Sequence, residues 1–217
     1  MNIRHHLDHA TILAYAAATL GEALTIVAAS HIARCPACRA AVRQAETMGG
    51  QLMLDLNATA VSSECKMRTL GLLDRATLHR FPARTSAQDE VPVPLSRALG
   101  CVGLRDLPWK RKAPGVALHH VPLSSPDGGK LVLMRIAPGR AMPEHGHGGE
   151  ELTLVLRGAY HDEMGRFGPG DVADLDEEVE HRPVVEAGED CYCAVAIEAP
   201  TRFKSLSARL IQPFIGI

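Results

Sequence analysis

Apolar residues recur at threes and fours through the first part of the chain, and this period predicts helices. Ile12, Tyr15, Ala16 and Thr19 share one face, Leu24, Val27, Ala28, His31 and Ile32 a second, and Ala37, Ala41, Val42 and Ala45 a third. Ser62 or Ser63 is placed to cap a further helix carrying Met67, Leu70, Leu73, Thr77 and Leu78. Farther on the pattern changes to short β-type runs at 116–118, 131–136, 152–156, 171–175, 192–197 and 206–214. Turn signals separate them: Pro126-Asp127-Gly128-Gly129, Ala137-Pro138-Gly139 and Gly168-Pro169-Gly170-Asp171. Many short strands divided in this way predict a sandwich or barrel. Between the two patterns, residues 81–94 bring prolines, polar side chains and the acidic pair Asp89 and Glu90, a stretch that reads as a linker rather than a helix. The expected architecture is α + β in two domains: a small helical domain at 1–80, a linker at 81–94 and an antiparallel β-barrel at 95–217.

Composition narrows the functional classes. The chain has 217 residues and an apolar fraction of 46%, which supports ordinary globular cores. Its 23 basic and 25 acidic side chains leave a net charge of −2, giving no long-range attraction to nucleic acid or to an anionic membrane surface. Residues 1–90 hold nine basic and eight acidic side chains, so a direct DNA contact is disfavoured there too. The apolar stretch 11–30 is mostly alanine and is interrupted by Glu22, which predicts a buried helix rather than a membrane span. Residues 1–9 carry one arginine and three histidines without a following apolar run, so no secretory signal is read and a cytoplasmic location is expected. Six cysteines in such a chain argue for metal ligands or free thiols.

Two clusters then stand out. In the second half, Gly139, His145, His147, Glu151 and Gly158 have the spacing of a cupin metal site. Read as one extended strand, the two histidines and the glutamate share parity and would point to the inside of a small barrel, whereas Glu150 would face outward. The turn ending in Asp171 is followed ten residues later by His181, which supplies a fourth position. Asp176 and Glu178 stand where the usual second motif has proline and glycine. Three imidazoles and a carboxylate suit zinc, manganese, iron or nickel, and four protein ligands would make a closed shell. In the first half, His31 and Cys35 lie four apart on a helix, and Cys35 and Cys38 lie three apart around Pro36. Pro36 is suited to the first helical position, and thiolates at that helix start are stabilised by its dipole. A fourth ligand would come from His5, His6 or His9.

This combination resembles the ChrR-type zinc-binding anti-sigma factors, and the likeness covers nearly the whole chain. The resemblance implies zinc at His6, His31, Cys35 and Cys38, and a second zinc at His145, His147, Glu151 and His181 in a cupin-type jelly roll. It also implies that the helical domain binds an extracytoplasmic-function (group IV) sigma factor one-to-one, with release when the barrel senses singlet oxygen or related oxidants. Cys191 and Cys193 match a CxC pair seen in such proteins. No catalytic residue is expected. The competing reading is a dioxygenase-like cupin metalloenzyme with an N-terminal zinc domain. The exposed stripe that would meet a partner is expected among Met48, Leu52, Met53, Leu56, Met67, Leu70 and Leu73, because flexible methionine and leucine faces suit helix-in-groove contacts.

Overall fold

A computed structural model of the chain describes residues 2–75, 91–100, 103–125, 128–200 and 202–203. Its helices are α1 (His9–Ala16), α2 (Glu22–Ile32), α3 (Pro36–Leu54), α4 (Ser63–Arg75) and α5 (Val93–Ala98). Asp8 opens α1 by accepting the Thr11 N–H at 2.7 Å, which satisfies one of the donors a helix start leaves over. Cys35 caps α3 and Pro36 takes its first turn, as the spacing predicts. Between α1 and α2 the chain reverses at Ala18, whose φ of 56° is left-handed. Stretch 11–30 is thus two helices, and α2 is buried along Ala23, Leu24, Val27 and Ala28. Among the described residues no helix is long and apolar enough to cross a membrane.

The strands are β1 (Lys110–Ala113), β2 (Val116–Val121), β3 (Lys130–Ile136), β4 (His145–Gly146), β5 (Glu151–Arg157) and β6 (Tyr160–Asp162), then β7 (Gly165–Phe167), β8 (Val172–Leu175), β9 (Glu180–His181), β10 (Val184–Val185), β11 (Cys191–Ile197) and β12 (Arg202–Phe203). A six-stranded antiparallel sheet runs β1-β2-β3-β11-β5-β8; two three-stranded sheets run β10-β6-β7 and β12-β4-β9. Side chains alternate across the large sheet. Val132, Met134, Val155, Cys193 and Val195 join Tyr160, Phe167 and Val185 of the smaller β10-β6-β7 sheet in one core. Leu131, Leu133, Leu152, Leu154, Ala194 and Ala196 point the other way, into a second core shared with α2, α3 and α5.

Both faces of this sheet are therefore covered, which is why 131–134 reads as an unbroken apolar run and 152–156 is interrupted only by Thr153. Ala194 and Ala196 on β11 and Ala23 and Ala28 on α2 are all fully buried and small, so the helix sits close to the sheet. At about 1.5–3 kcal/mol for each fully buried Leu or Val, the side chains on this face supply on the order of 10 kcal/mol before entropy is counted. A single hydrogen bond nets about 1 kcal/mol, so apolar burial drives the docking and polar contacts set its register. One such contact is Glu22, which accepts the N–H groups of Ser124 and Ser125 at 2.9 and 3.0 Å.

The expected strands at 116–118, 131–136, 152–156, 171–175 and 192–197 are present with shifts of a residue or more at their ends; Asp171 belongs to the turn before β8. Strand 206–214, Thr77, Leu78 and residues 81–90 lie outside the described residues. Within 91–94, Val91 is buried, Pro92 caps α5, and Val93 and Pro94 open it, with Pro94 in the first turn, where a missing N–H costs nothing. The β6–β7 hairpin gives no sequence signal because only its end residues, Tyr160 and Phe167, are buried.

The motif glycines differ physically. Gly139 and Gly158 both have positive φ, 68° and 72°. A Cβ at Gly139 would meet nothing within 4 Å, whereas one at Gly158 would lie 2.6 Å from the Asp190 carbonyl oxygen. Gly158→Ala is expected to lower stability by about 2 kcal/mol or more, and Gly139→Ala by about 1 kcal/mol. Denaturant midpoints check this, and equal losses would contradict the steric account.

Candidate metal centres

The N-terminal centre is built at the corner between α2 and α3. His31 ends α2 fully buried, the Cys35 N–H closes the corner by bonding the His31 carbonyl at 2.8 Å, and Cys38 lies in the first turn of α3. His6 reaches this corner from the irregular segment ahead of α1. The Cys38 Sγ is 3.2 Å from His31 Nε2, and His6 Nδ1 is 3.2 Å from Cys35 Sγ and 3.7 Å from Cys38 Sγ. All four donor atoms lie within 4.8 Å of one another. Ligands at zinc–sulfur and zinc–nitrogen bond lengths on a tetrahedron stand about 3.6 Å apart, so the set fits that ion closely. Of the three candidate histidines only His6 comes in. His5 instead stacks on Phe167 with ring centroids 3.9 Å apart, and His9 is exposed at the start of α1.

Burial pushes His31 down to about 4 and Cys38 up to about 11. Without a metal the pair is a neutral imidazole and a neutral thiol, and a divalent ion must displace the Cys38 proton to bind. The His31 Nδ1–H donates to the Gly170 carbonyl at 2.9 Å, which leaves Nε2 as the lone pair facing the thiols.

The second centre lies between the sheets. His145 on β4 and His181 on β9 are direct partners in an antiparallel register. His147 follows β4, and Glu151 opens β5. The motif does not run along the single strand that its parity predicts: β4 is two residues long, the chain turns at Gly148-Gly149, and Glu151 enters from a strand of the other sheet. A Cβ at Gly148 would lie 2.6 Å from the Pro200 carbonyl oxygen, so the reversal needs glycine. Asp176 accepts the Glu178 N–H at 2.9 Å, closing with a side chain the turn that proline and glycine make elsewhere.

The donor chemistry calls for a cation. His145 Nδ1 donates to the Pro143 carbonyl at 2.8 Å and His181 Nδ1 to Asp162 at 2.9 Å, which leaves both Nε2 atoms in the acceptor role. They nevertheless face each other at 3.1 Å. His147 Nδ1 stands 3.2 Å from the Glu151 carboxylate without hydrogen-bond alignment, and its Nε2 is buried without a partner. An ion among these atoms would satisfy all of them. Burial opposes ionisation of Glu151, but His147, His145 and His181 outweigh it and hold the carboxyl below its usual range. Thr153 donates to the other Glu151 oxygen at 3.0 Å.

A largely apolar cavity of about 50 Å³ adjoins the centre and is lined by His145, Glu151, His181, Tyr160, Cys191 and Cys193, with methionine and aliphatic side chains. The two thiols lie 3.6 Å apart, and contact with Cys191 together with burial raises Cys193 well above the usual thiol range. Cys65 is partly exposed on α4, and Cys101 lies outside the described residues. Sequence reasoning missed Asp162 and Gly170 as partners of the ligands, because each reaches its histidine through the fold and not through a spacing; it also missed Thr153, although two residues along one strand from Glu151 is a same-face spacing.

A profile described as the ChrR Cupin-like domain matches residues 99–200. Over the full length of both chains the sequence is 42% identical to the anti-sigma-E factor ChrR of Cereibacter sphaeroides. The chain belongs to the ChrR family of anti-sigma factors. The fold is similar to that of ChrR in the crystal structure of Rhodobacter sphaeroides SigE in complex with the anti-sigma ChrR, with a TM-score of 0.78, 39% identity and coverage of 90% of this chain and all of that one. Membership in the ChrR family makes this chain a regulator rather than an enzyme, and the dioxygenase-like reading is set aside on that ground.

His31 also makes the metal-free chain sensitive to acid. Its folded value, about 4, lies below the unfolded 6.5, so the unfolded chain takes up the proton first. This contribution to stability is present above pH 6.5 and is lost as pH falls toward 4, by about 1.4 kcal/mol per pH unit. Urea midpoints in chelator should therefore fall more steeply in this window for the wild type than for His31→Gln; parallel slopes would rule the account out.

Proposed function

We propose that this chain sequesters an extracytoplasmic-function (group IV) sigma factor in a one-to-one complex, keeps it from core RNA polymerase, and releases it when the barrel senses singlet oxygen or a related oxidant. The observation that carries the reading is full-length similarity to an anti-sigma factor whose structure is known in complex with its sigma factor. Work on RNA polymerase would place the chain in the cytoplasm. Residues 1–80 would be the inhibitory unit, 81–94 its connection and 95–217 the sensing barrel. Zinc would be held by His6, His31, Cys35 and Cys38, where two thiols and two imidazoles suit a closed structural site, and a second zinc by His145, His147, Glu151 and His181.

The surface supports binding of a large partner. Beyond Ala45 helix α3 buries little, and Met48, Leu52, Met53 and Leu54 are 65–76% exposed; on α4, Met67, Leu72 and Leu73 are 66–69% exposed. Two neighbouring helices with so much uncovered Leu and Met are the kind of surface a protein partner covers. Oxidant sensing is supported by what surrounds the second centre. Imidazoles, Met134, Met142 and the Cys191–Cys193 thiol pair are gathered around one cavity. Oxidation there would place polar oxygen in a packed apolar interior and bias the chain away from the sigma-bound form.

Co-expression with an extracytoplasmic-function sigma factor, followed by purification and metal counting, is expected to yield a one-to-one complex with about two zinc ions per chain. Leu52→Glu combined with Leu73→Glu should weaken that complex at least tenfold while leaving the thermal midpoint of the free protein unchanged, because both side chains are already in water. His145→Ala should bind the sigma factor yet fail to release it under singlet oxygen. Absence of any sigma complex, or normal release by His145→Ala, would sink the reading.

A further inference from the structure

The four residues of the N-terminal centre are positioned in two different ways. Cys35 and Cys38 need only the α2–α3 corner: Pro36 starts the helix, the Cys38 N–H points at Cys35 Sγ at 3.4 Å, and the Arg39 N–H bonds the Cys35 carbonyl at 3.1 Å. His6 is placed differently: Leu7 beside it is buried with Cys35 and Cys38 and its backbone hydrogen-bonds the Cys38 thiol, but no helix turn fixes His6 itself. It lies in residues 2–8, which form neither helix nor strand, and it is the exposed member of the four. Barrel side chains hold this segment on both sides of it. Asp171 Oδ1 accepts the Arg4 and His5 N–H groups at 2.6 and 3.0 Å, and Asp174 Oδ2 accepts the Asp8 N–H at 3.0 Å. His5 is further held by its stack on Phe167 and its contact with the Arg166 carbonyl at 3.1 Å.

His31 depends on the same stretch of barrel, since its Nδ1–H is taken by the Gly170 carbonyl. That turn is itself rigid. The second Asp171 oxygen accepts the Gly168 N–H at 2.8 Å, and Gly170 and Asp171 exchange backbone hydrogen bonds with Val155 of β5 at 2.8 and 3.0 Å. From these placements we infer that the barrel completes the N-terminal metal centre, with Asp171 and Asp174 as positioning residues for His6 and the Gly170 carbonyl for His31. The inference rests on the reading that His6, His31, Cys35 and Cys38 hold a metal. Asp171 is buried and Asp174 half-buried; carboxylates accepting backbone N–H groups make strong hydrogen bonds, and outer partners of metal ligands commonly change metal affinity by about 10- to 100-fold. The same segment reaches the second centre: β8 begins at this turn and ends at Leu175, the register partner of Glu151. The β6–β7 hairpin carries Phe167 against His5 at one end and Asp162 against His181 at the other. A change at either centre thus has a short covalent and packed route to the other.

The test uses the full chain loaded with cobalt(II), whose thiolate charge-transfer absorption in the near ultraviolet reports Cys35 and Cys38 and is silent for the histidine-carboxylate centre. Chelator is titrated against the wild type, Asp171→Asn, Asp174→Ala and Glu22→Gln. Glu22 joins α2 to the barrel but touches no ligand, so it controls for loosened docking. The absorption should be lost at about tenfold or more lower chelator in both aspartate variants, with cobalt at the other centre retained, and within about twofold of the wild type in Glu22→Gln. Should Asp171→Asn disturb the turn enough to unfold the barrel, Asp174→Ala alone decides. Wild-type retention in the folded aspartate variants overturns the inference, as does an equal loss in Glu22→Gln. No thiolate absorption in the wild type overturns the metal reading itself, and this inference with it.

Discussion

The six-stranded sheet is buried on both faces, and most of the architecture depends on that. One face closes over the β10-β6-β7 sheet and forms the interior in which the second centre lies; the other accepts α2 and, around it, α3 and α5. An antiparallel sheet usually leaves one face to water. Here the helices take that place, so the helical region and the barrel share a core. Small side chains make it possible: alanines on β11 and α2 bring helix and sheet together without a groove.

Apolar docking of this kind carries energy but little direction, and the polar contacts supply the direction. Glu22 fixes one end of α2 on the barrel, and His31 fixes the other end through the Gly170 carbonyl. Because His31 also faces two thiols, the contact that orients the helix also orients a metal donor. The second centre follows the same pattern: Asp162 and Thr153 hold the atoms of His181 and Glu151 that do not face the other ligands, which turns the remaining donor atoms inward. In both places hydrogen bonds on the far side of the donors turn their lone pairs toward one point, an arrangement that suits a cation.

The distribution of exposed apolar surface complements this. Apart from Leu13 and Met164, the barrel and the proximal helices bury or half-bury their large apolar side chains, whereas the distal half of α3 and α4 leave methionine and leucine in water. A chain of this size has no folding reason to do so. For a member of the ChrR family, a surface that awaits a protein partner accounts for it, and it lies on the elements least committed to the rest of the fold.

Much of this was legible in the sequence. Helical and strand periods, the HxxxCxxC run and the histidine and glutamate spacing identified the two regions and seven of the eight clustered residues directly, because each is set by local geometry or by a fixed offset in the chain. The eighth, His6, was named through resemblance; the residues alone left His5, His6 and His9 equivalent. Only the tertiary structure separated them, since the choice depends on Asp171 and Asp174, more than 160 residues away. The same holds for Asp162 beside His181, for the silent β6–β7 hairpin and for the reversal at Gly148-Gly149 that replaced a one-strand reading of the second centre. Sequence by itself determined seven of the eight clustered donors, because donor type and spacing are local. How those donors are aimed was decided only by the fold, because a hydrogen bond to a ligand's far side comes from whichever strand the packing of the sheet brings there.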